Sequence, residues 1–145
     1  MWLLYAVTAS LCWGMSYAAS GPILRKGMTP AFFFFGYSLL GFAGSLVYLI
    51  STGRLSQALR MEGLEKGDLG WFLFSIGGSA FGAFLTYAAM SAKNPTLASM
   101  IEISYPLFVI LFAWLFFREI QLNPITLAGG LLVIAGVAVI ILGDR

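Results

Sequence analysis

Charged side chains divide this chain into apolar stretches of nearly equal length. Residues 1–24 carry no charge before Arg25 and Lys26, and residues 27–53 carry none before a charged run from Arg54 to Asp68. Residues 69–92 are uncharged up to Lys93. Residues 94–117 hold only Glu102 before Arg118 and Glu119, and residues 120–143 are clean until Asp144 and Arg145. A helix that crosses a bilayer needs about 20 mostly apolar residues. The pattern predicts five spans, near 2–24, 30–51, 69–92, 95–117 and 124–143, with one sizeable polar loop at 52–68.

Helix-start signals fall in the same gaps. Thr29-Pro30, Asn94-Pro95 and Asn123-Pro124 each set a capping side chain directly before a proline. Proline is tolerated at the first helical position, while the residue before it is pushed out of helical geometry. Asp68 is expected to cap span 3 without a proline. The 52–68 loop balances three basic against three acidic side chains and reads as a solvated connector, with a short interfacial helix over Leu55–Leu64 as the alternative.

Composition turns this pattern into a membrane protein. Of 145 residues, 60% are hydrophobic and 10% charged, with mean hydropathy +0.92. Soluble domains run about 45–50% apolar and about 25% charged. The excess apolar surface needs lipid as its solvent. Ala18-Ala19-Ser20 resembles a signal-peptide cleavage site, yet no Lys or Arg precedes the apolar stretch, so the first segment is expected to be a retained span.

Small residues recur at helical spacing: Ala6, Ser10, Gly14 and Ala18 in span 1, Gly78 and Gly82 in span 3, and Gly129, Gly136 and Gly143 in span 5. In lipid, helices associate through close backbone approach at such residues, so these stripes are expected to be packing seams. Orientation normally follows the side with more Lys and Arg. Here Arg54, Arg60, Lys66 and Arg118 face Arg25, Lys26, Lys93 and Arg145, four against four. The tie suggests copies inserted in both orientations, an arrangement that would build an inverted repeat from two chains.

Candidate chemistry is sparse. There is no histidine and one cysteine, Cys12, which its apolar neighbours mark as a buried packing residue. No disulfide framework, metal cluster, cofactor motif, phosphate loop or nucleophile–base arrangement is present, and no basic run suggests nucleic acid. An enzyme is not expected.

Glu102 stands out because a carboxylate at the centre of a span costs about 2.5–3.5 kcal/mol on insertion scales. It lies about 10 Å into span 4, counted from Pro95 at about 1.5 Å per residue. Four residues on, Pro106 has no N–H for the Glu102 carbonyl, so the helix should break there. Ser99 extends the polar stripe by one turn. This point reads as a proton or cation site, the alternative being a structural carboxylate paired with Lys93 or with a neighbouring helix's hydroxyl. Trp13, Tyr17, Tyr37, Tyr87 and Tyr105 fall inside spans, where rings can line a cavity or pack. The expected wall is Trp13, Tyr17, Tyr37, Glu102 and Tyr105.

Trp13-Gly14, Pro30, Tyr87-Ala88-Ala89, Ile103-Ser104-Tyr105-Pro106, the Arg118-Glu119 ending, Gly129-Gly130 and Ala135-Gly136-Val137 together resemble the EamA-type drug/metabolite transporter superfamily. The resemblance covers nearly the whole chain as a single repeat. It implies a multi-pass protein of the cell membrane (the bacterial inner membrane) that is one half of an inverted-repeat transporter. The second half would be another copy of itself, antiparallel, or a paralogous half. The implied activity is export or exchange of a small organic metabolite or drug; proton coupling through Glu102 is an expectation from the carboxylate within span 4 itself, since small four-helix multidrug relatives carry their essential glutamate in span 1, where this chain has none. Alternatives are a flippase or flippase subunit for a lipid-linked molecule, and a non-transporting membrane partner. Tyr37 occupies a position seven residues after the opening proline that is often arginine in the family, which weakens any carry-over of anion binding there.

Overall fold

The computed structural model describes residues 1–61, 63–65, 67–119 and 123–144. Every element among them is a helix: α1 (Trp2–Arg25), α2 (Pro30–Ser51), α3 (Leu55–Arg60), α4 (Asp68–Ala92), α5 (Pro95–Glu102), α6 (Tyr105–Phe112), a π-helical segment (Ala113–Phe117) and α7 (Pro124–Gly143). Four stretches are long and apolar enough to cross a membrane: Pro30–Ser51, Asp68–Ala92, Pro95–Phe117 and Pro124–Gly143. α1 has the length, at 24 residues, but is not apolar enough to join them. Its Thr8, Ser10, Ser16, Tyr17 and Ser20 dilute the apolar side chains. Four candidate spans therefore stand where the charge pattern predicts five.

Local chemistry explains the helix boundaries. Thr29, Asn94 and Asn123 sit in extended backbone, and their side chains accept from the N–H groups of Phe32 (3.2 Å), Leu97 (2.8 Å) and Thr126 (2.8 Å). Each satisfies one of the orphan donors of a helix start. Asp68 departs from expectation. It is the first helical residue instead of the cap, and its Oδ2 accepts from the Glu65 N–H at 3.0 Å, fastening the loop to the helix. The polar connector contains the short helix α3, which ends at Met61 in left-handed geometry. Of the cations in the charge tie, Lys66 and Arg145 lie outside the described residues.

α4 packs against α1, α2 and α5; α1 also packs on α5, and α7 meets the rest mainly through α5. The tightest packing is at one end. Ser20, Gly21 and Leu24 of α1 meet Tyr87 and Met90 of α4 and Pro95 of α5. A Cβ on Gly21 would lie 2.7 Å from the Pro95 ring, a close approach that requires glycine. The other glycines of the expected seams differ: a Cβ on Gly14, Gly78, Gly82, Gly129, Gly136 or Gly143 meets nothing within 4 Å. No other helix comes close at these six glycines, so they do not make the close approaches expected of seams. Cys12 is exposed, not buried, since it lies on a face of α1 that no other helix covers. In the Phe32–Phe35 run, Phe33 and Phe34 turn inward onto Tyr87 and Phe84, and Phe32 and Phe35 point outward.

Lys93, after α4, pairs with Asp144, after α7, at 2.8 Å, so these two helix ends lie together. Both side chains are about half exposed, at 57% and 41%. Exposed pairs are worth about 0–1 kcal/mol. Lys93→Ala is expected to lower unfolding stability in detergent by less than about 1 kcal/mol; a larger loss would mean that the pair is desolvated in its native setting.

Candidate functional site

Span 4 breaks where proline chemistry demands it. α5 ends at Glu102, Ile103 and Ser104 form a turn, and α6 begins at Tyr105. The Ser104 N–H reaches back to the Ile101 carbonyl at 3.1 Å and the Leu107 N–H to Ser104 at 3.1 Å, so the chain tightens to three-residue bonding through the break. Pro106 sits at the second position of α6, where a missing N–H is tolerated. The break leaves Glu102 on the last turn of α5, half-buried.

The Tyr17 hydroxyl of α1 donates to Glu102 Oε1 at 3.2 Å. Of the partners considered for a structural carboxylate, the hydroxyl of a neighbouring helix is therefore the one present, and Lys93 is engaged with Asp144 instead. One phenol occupies only part of the acceptor capacity of a carboxylate, which has about four lone-pair positions. The phenols of Tyr17, Tyr37, Tyr87 and Tyr105 are the other titratable groups around the same space.

Two cavities meet at this carboxylate. The smaller, about 740 Å³, lies between α1, α5 and α7 and is lined by Ser10, Thr96 and Ser99 on one wall and Val133, Val137 and Ile140 on the other. It occupies the half of the bundle towards Lys93 and Asp144. The larger, about 970 Å³, lies between α1, α2, α4 and the α6–π segment and runs towards Trp71 and Phe117 at the other end. Four residues line both: Trp13, Tyr17, Glu102 and Tyr105. They form the partition between the cavities, with the Tyr17–Glu102 hydrogen bond inside it.

Of the residues singled out from the sequence, Trp13, Tyr17, Glu102 and Tyr105 are thus brought together. Tyr37 joins them from α2, with its ring 6.0 Å from Trp13 and 6.2 Å from Tyr87. Ser99 lines only the smaller cavity, and its hydroxyl donates to the Thr96 carbonyl at 3.0 Å. Pro106 lines neither; its part is to break the helix.

Sequence reasoning passed over an aromatic cluster at the outer end of the larger cavity. Trp71 lies 4.9 Å from Phe117 and 5.6 Å from Phe116, and Phe74 lies 6.2 Å from Phe116. These rings sit near span ends, where a sequence suggests only interfacial anchoring. Phe116 and Phe117 belong to the π-helical turn, which ends at the left-handed Arg118 (φ 57°), and the Arg118 guanidinium lies 5.2 Å over Trp114. Gly78 and Gly82 line this cavity too, so their small size leaves room instead of closing a helix pair.

The model of the EamA-like transporter family matches residues 1–142 of the chain. No curated protein and no solved structure matches it.

Proposed function

The chain belongs to the EamA-like transporter family, multi-pass membrane transporters of small molecules, and from that premise we propose that it works as an antiparallel homodimer carrying a small organic solute. In this reading α1 is a fifth span. Its polar residues fit a helix that faces cavities: Ser10, Trp13 and Tyr17 all line them. The observation that carries the reading is the meeting of two cavities, from opposite halves of the bundle, at one hydrogen-bonded carboxylate. Such a group can exchange a proton with either side while a neighbouring solute waits on its release, which is the requirement for coupled transport.

The need for a second copy is supported by exposed area. The chain exposes 11239 Å², whereas a soluble fold of its mass exposes about 7,300 Å² by the usual size scaling. Lipid covers part of that excess. A second copy covering the open face of the cavities would turn two half-lined clefts into a closed path.

Topology is the test. Single cysteines in place of Met28 and Ser56, in a Cys12→Ser background, lie beyond opposite ends of α2 and leave the charge balance untouched. In intact cells an impermeant thiol reagent is expected to label a fraction of copies at each position, with the rest labelled only after permeabilisation. Labelling of one position fully and the other not at all would overturn the antiparallel homodimer.

A further inference from the structure

We propose that the larger cavity selects an organic monocation with an aromatic or alkyl body, its positive nitrogen held at Glu102 and its body lying towards Trp71. This inference rests on that cavity being the solute site of the transporter proposed above.

Size, charge and ring chemistry each support it. The cavity volume of about 970 Å³ falls at the upper end of sites that hold drug-sized molecules. Among the described residues, Glu102 is the only charged group lining it, and no Lys or Arg lines either cavity. An anion entering this space would approach a carboxylate with no cation to offset it. A cation would supply the counter-charge that Tyr17, a neutral donor, leaves missing.

Around the carboxylate stand ring faces suited to such a guest. Trp13 lies 5.3 Å from Tyr17 and 6.0 Å from Tyr37, and Tyr37 lies 6.2 Å from Tyr87, so the rings form a continuous panel beside Glu102. Cations bind over such faces within about 6 Å of the centroid, and quaternary nitrogens do so without needing a hydrogen-bond acceptor. The wall beyond is mainly apolar and aromatic as far as Trp71 and Phe117, with the hydroxyls of Ser75, Ser79 and Thr86 as its neutral polar groups, which suits a hydrophobic body and adds no second charge.

The probes are three molecules of one shape: phenylbutyl-trimethylammonium, its neutral analogue with a tert-butyl group in place of the trimethylammonium, and phenylbutyl sulfonate. Binding is measured by equilibrium dialysis against the full chain in lipid nanodiscs at neutral pH. The cation is expected to bind at least about tenfold more tightly than the neutral analogue, and the sulfonate not measurably. Glu102→Gln should bring the cation down to the affinity of the neutral analogue, while Glu102→Asp, which keeps the charge, should retain the preference. Equal binding of cation and neutral analogue, an unchanged cation affinity in Glu102→Gln, or binding of the sulfonate would each overturn the proposal. If the neutral analogue both binds and crosses vesicles as well as the cation, charge selection fails and the transporter reading survives. If no probe binds, charge selection fails, while the antiparallel homodimer stands or falls separately on the cysteine labelling.

Discussion

Glu102→Gln is expected to abolish pH-driven flux in reconstituted vesicles, bringing uptake down to that of protein-free vesicles, while the chain still folds and inserts. The amide replaces the carboxylate with a group of the same shape. Its oxygen still accepts from the Tyr17 hydroxyl, so the one hydrogen bond that ties α1 to the end of α5 at this point survives. What is lost is the capacity to take and release a proton. No other carboxylate lines either cavity among the described residues, and the side chains of Tyr17, Tyr37, Tyr87 and Tyr105 are phenols, a far weaker class of acid than a carboxylate. None of them can replace Glu102 in a cycle run at neutral pH. Glu102→Asp keeps the charge on a shorter stem and is expected to retain part of the flux. Flux in Glu102→Gln equal to the parent protein would remove proton coupling through this residue.

Gly21→Leu is the substitution expected to cost the most stability. A Cβ at Gly21 would stand 2.7 Å from Cγ of Pro95, closer than carbon atoms tolerate, and 3.3 Å from its Cδ, a tight contact. The neighbour cannot yield cheaply, because the Pro95 ring opens α5 directly after Asn94, whose side chain caps the same helix at 2.8 Å. The clash therefore has to move whole helices. It does so at the tightest part of the bundle, where Ser20, Leu24, Tyr87 and Met90 are buried. Overpacking of this kind costs about 1–3 kcal/mol or more. Gly44→Leu serves as the control, because a Cβ there meets nothing within 4 Å. Thermal unfolding in detergent should show a clear drop in midpoint for the Gly21 variant and little change for the Gly44 variant. Equal midpoints would mean that α1 and α5 do not cross at Gly21 in the folded protein.

The family model spans residues 1–142, and the resemblance behind it was visible in short apolar motifs such as Ile103-Ser104-Tyr105-Pro106. The site was only half visible. Glu102 announced itself by the cost of a carboxylate in a span, and Pro106 by its missing N–H. Neither showed that Tyr17, 85 residues away, would donate to that carboxylate. Nor did Cys12 or the glycine stripes reveal which way they face. The apolar neighbours of Cys12 predict burial, yet it is exposed; Gly21, outside the expected stripes, makes the close approach that Gly14 and Gly78 do not.

By itself the sequence determined what is local in this protein. Asparagine or threonine before proline starts helices α2, α5 and α7, because capping involves atoms only three residues apart. The break at Glu102–Tyr105 follows from one proline, and the need for lipid follows from composition. Tertiary structure alone decided which faces meet: the pairing of Tyr17 with Glu102, the burial of Tyr87, the Lys93–Asp144 contact and the aromatic cluster at Trp71. The physical reason lies in the solvent. In water, the alternation of polar and apolar residues around a helix marks its inner face. In lipid, the outer face is as apolar as the inner one, so that mark is erased and helix rotation is fixed only by the close fit of side chains from distant parts of the chain.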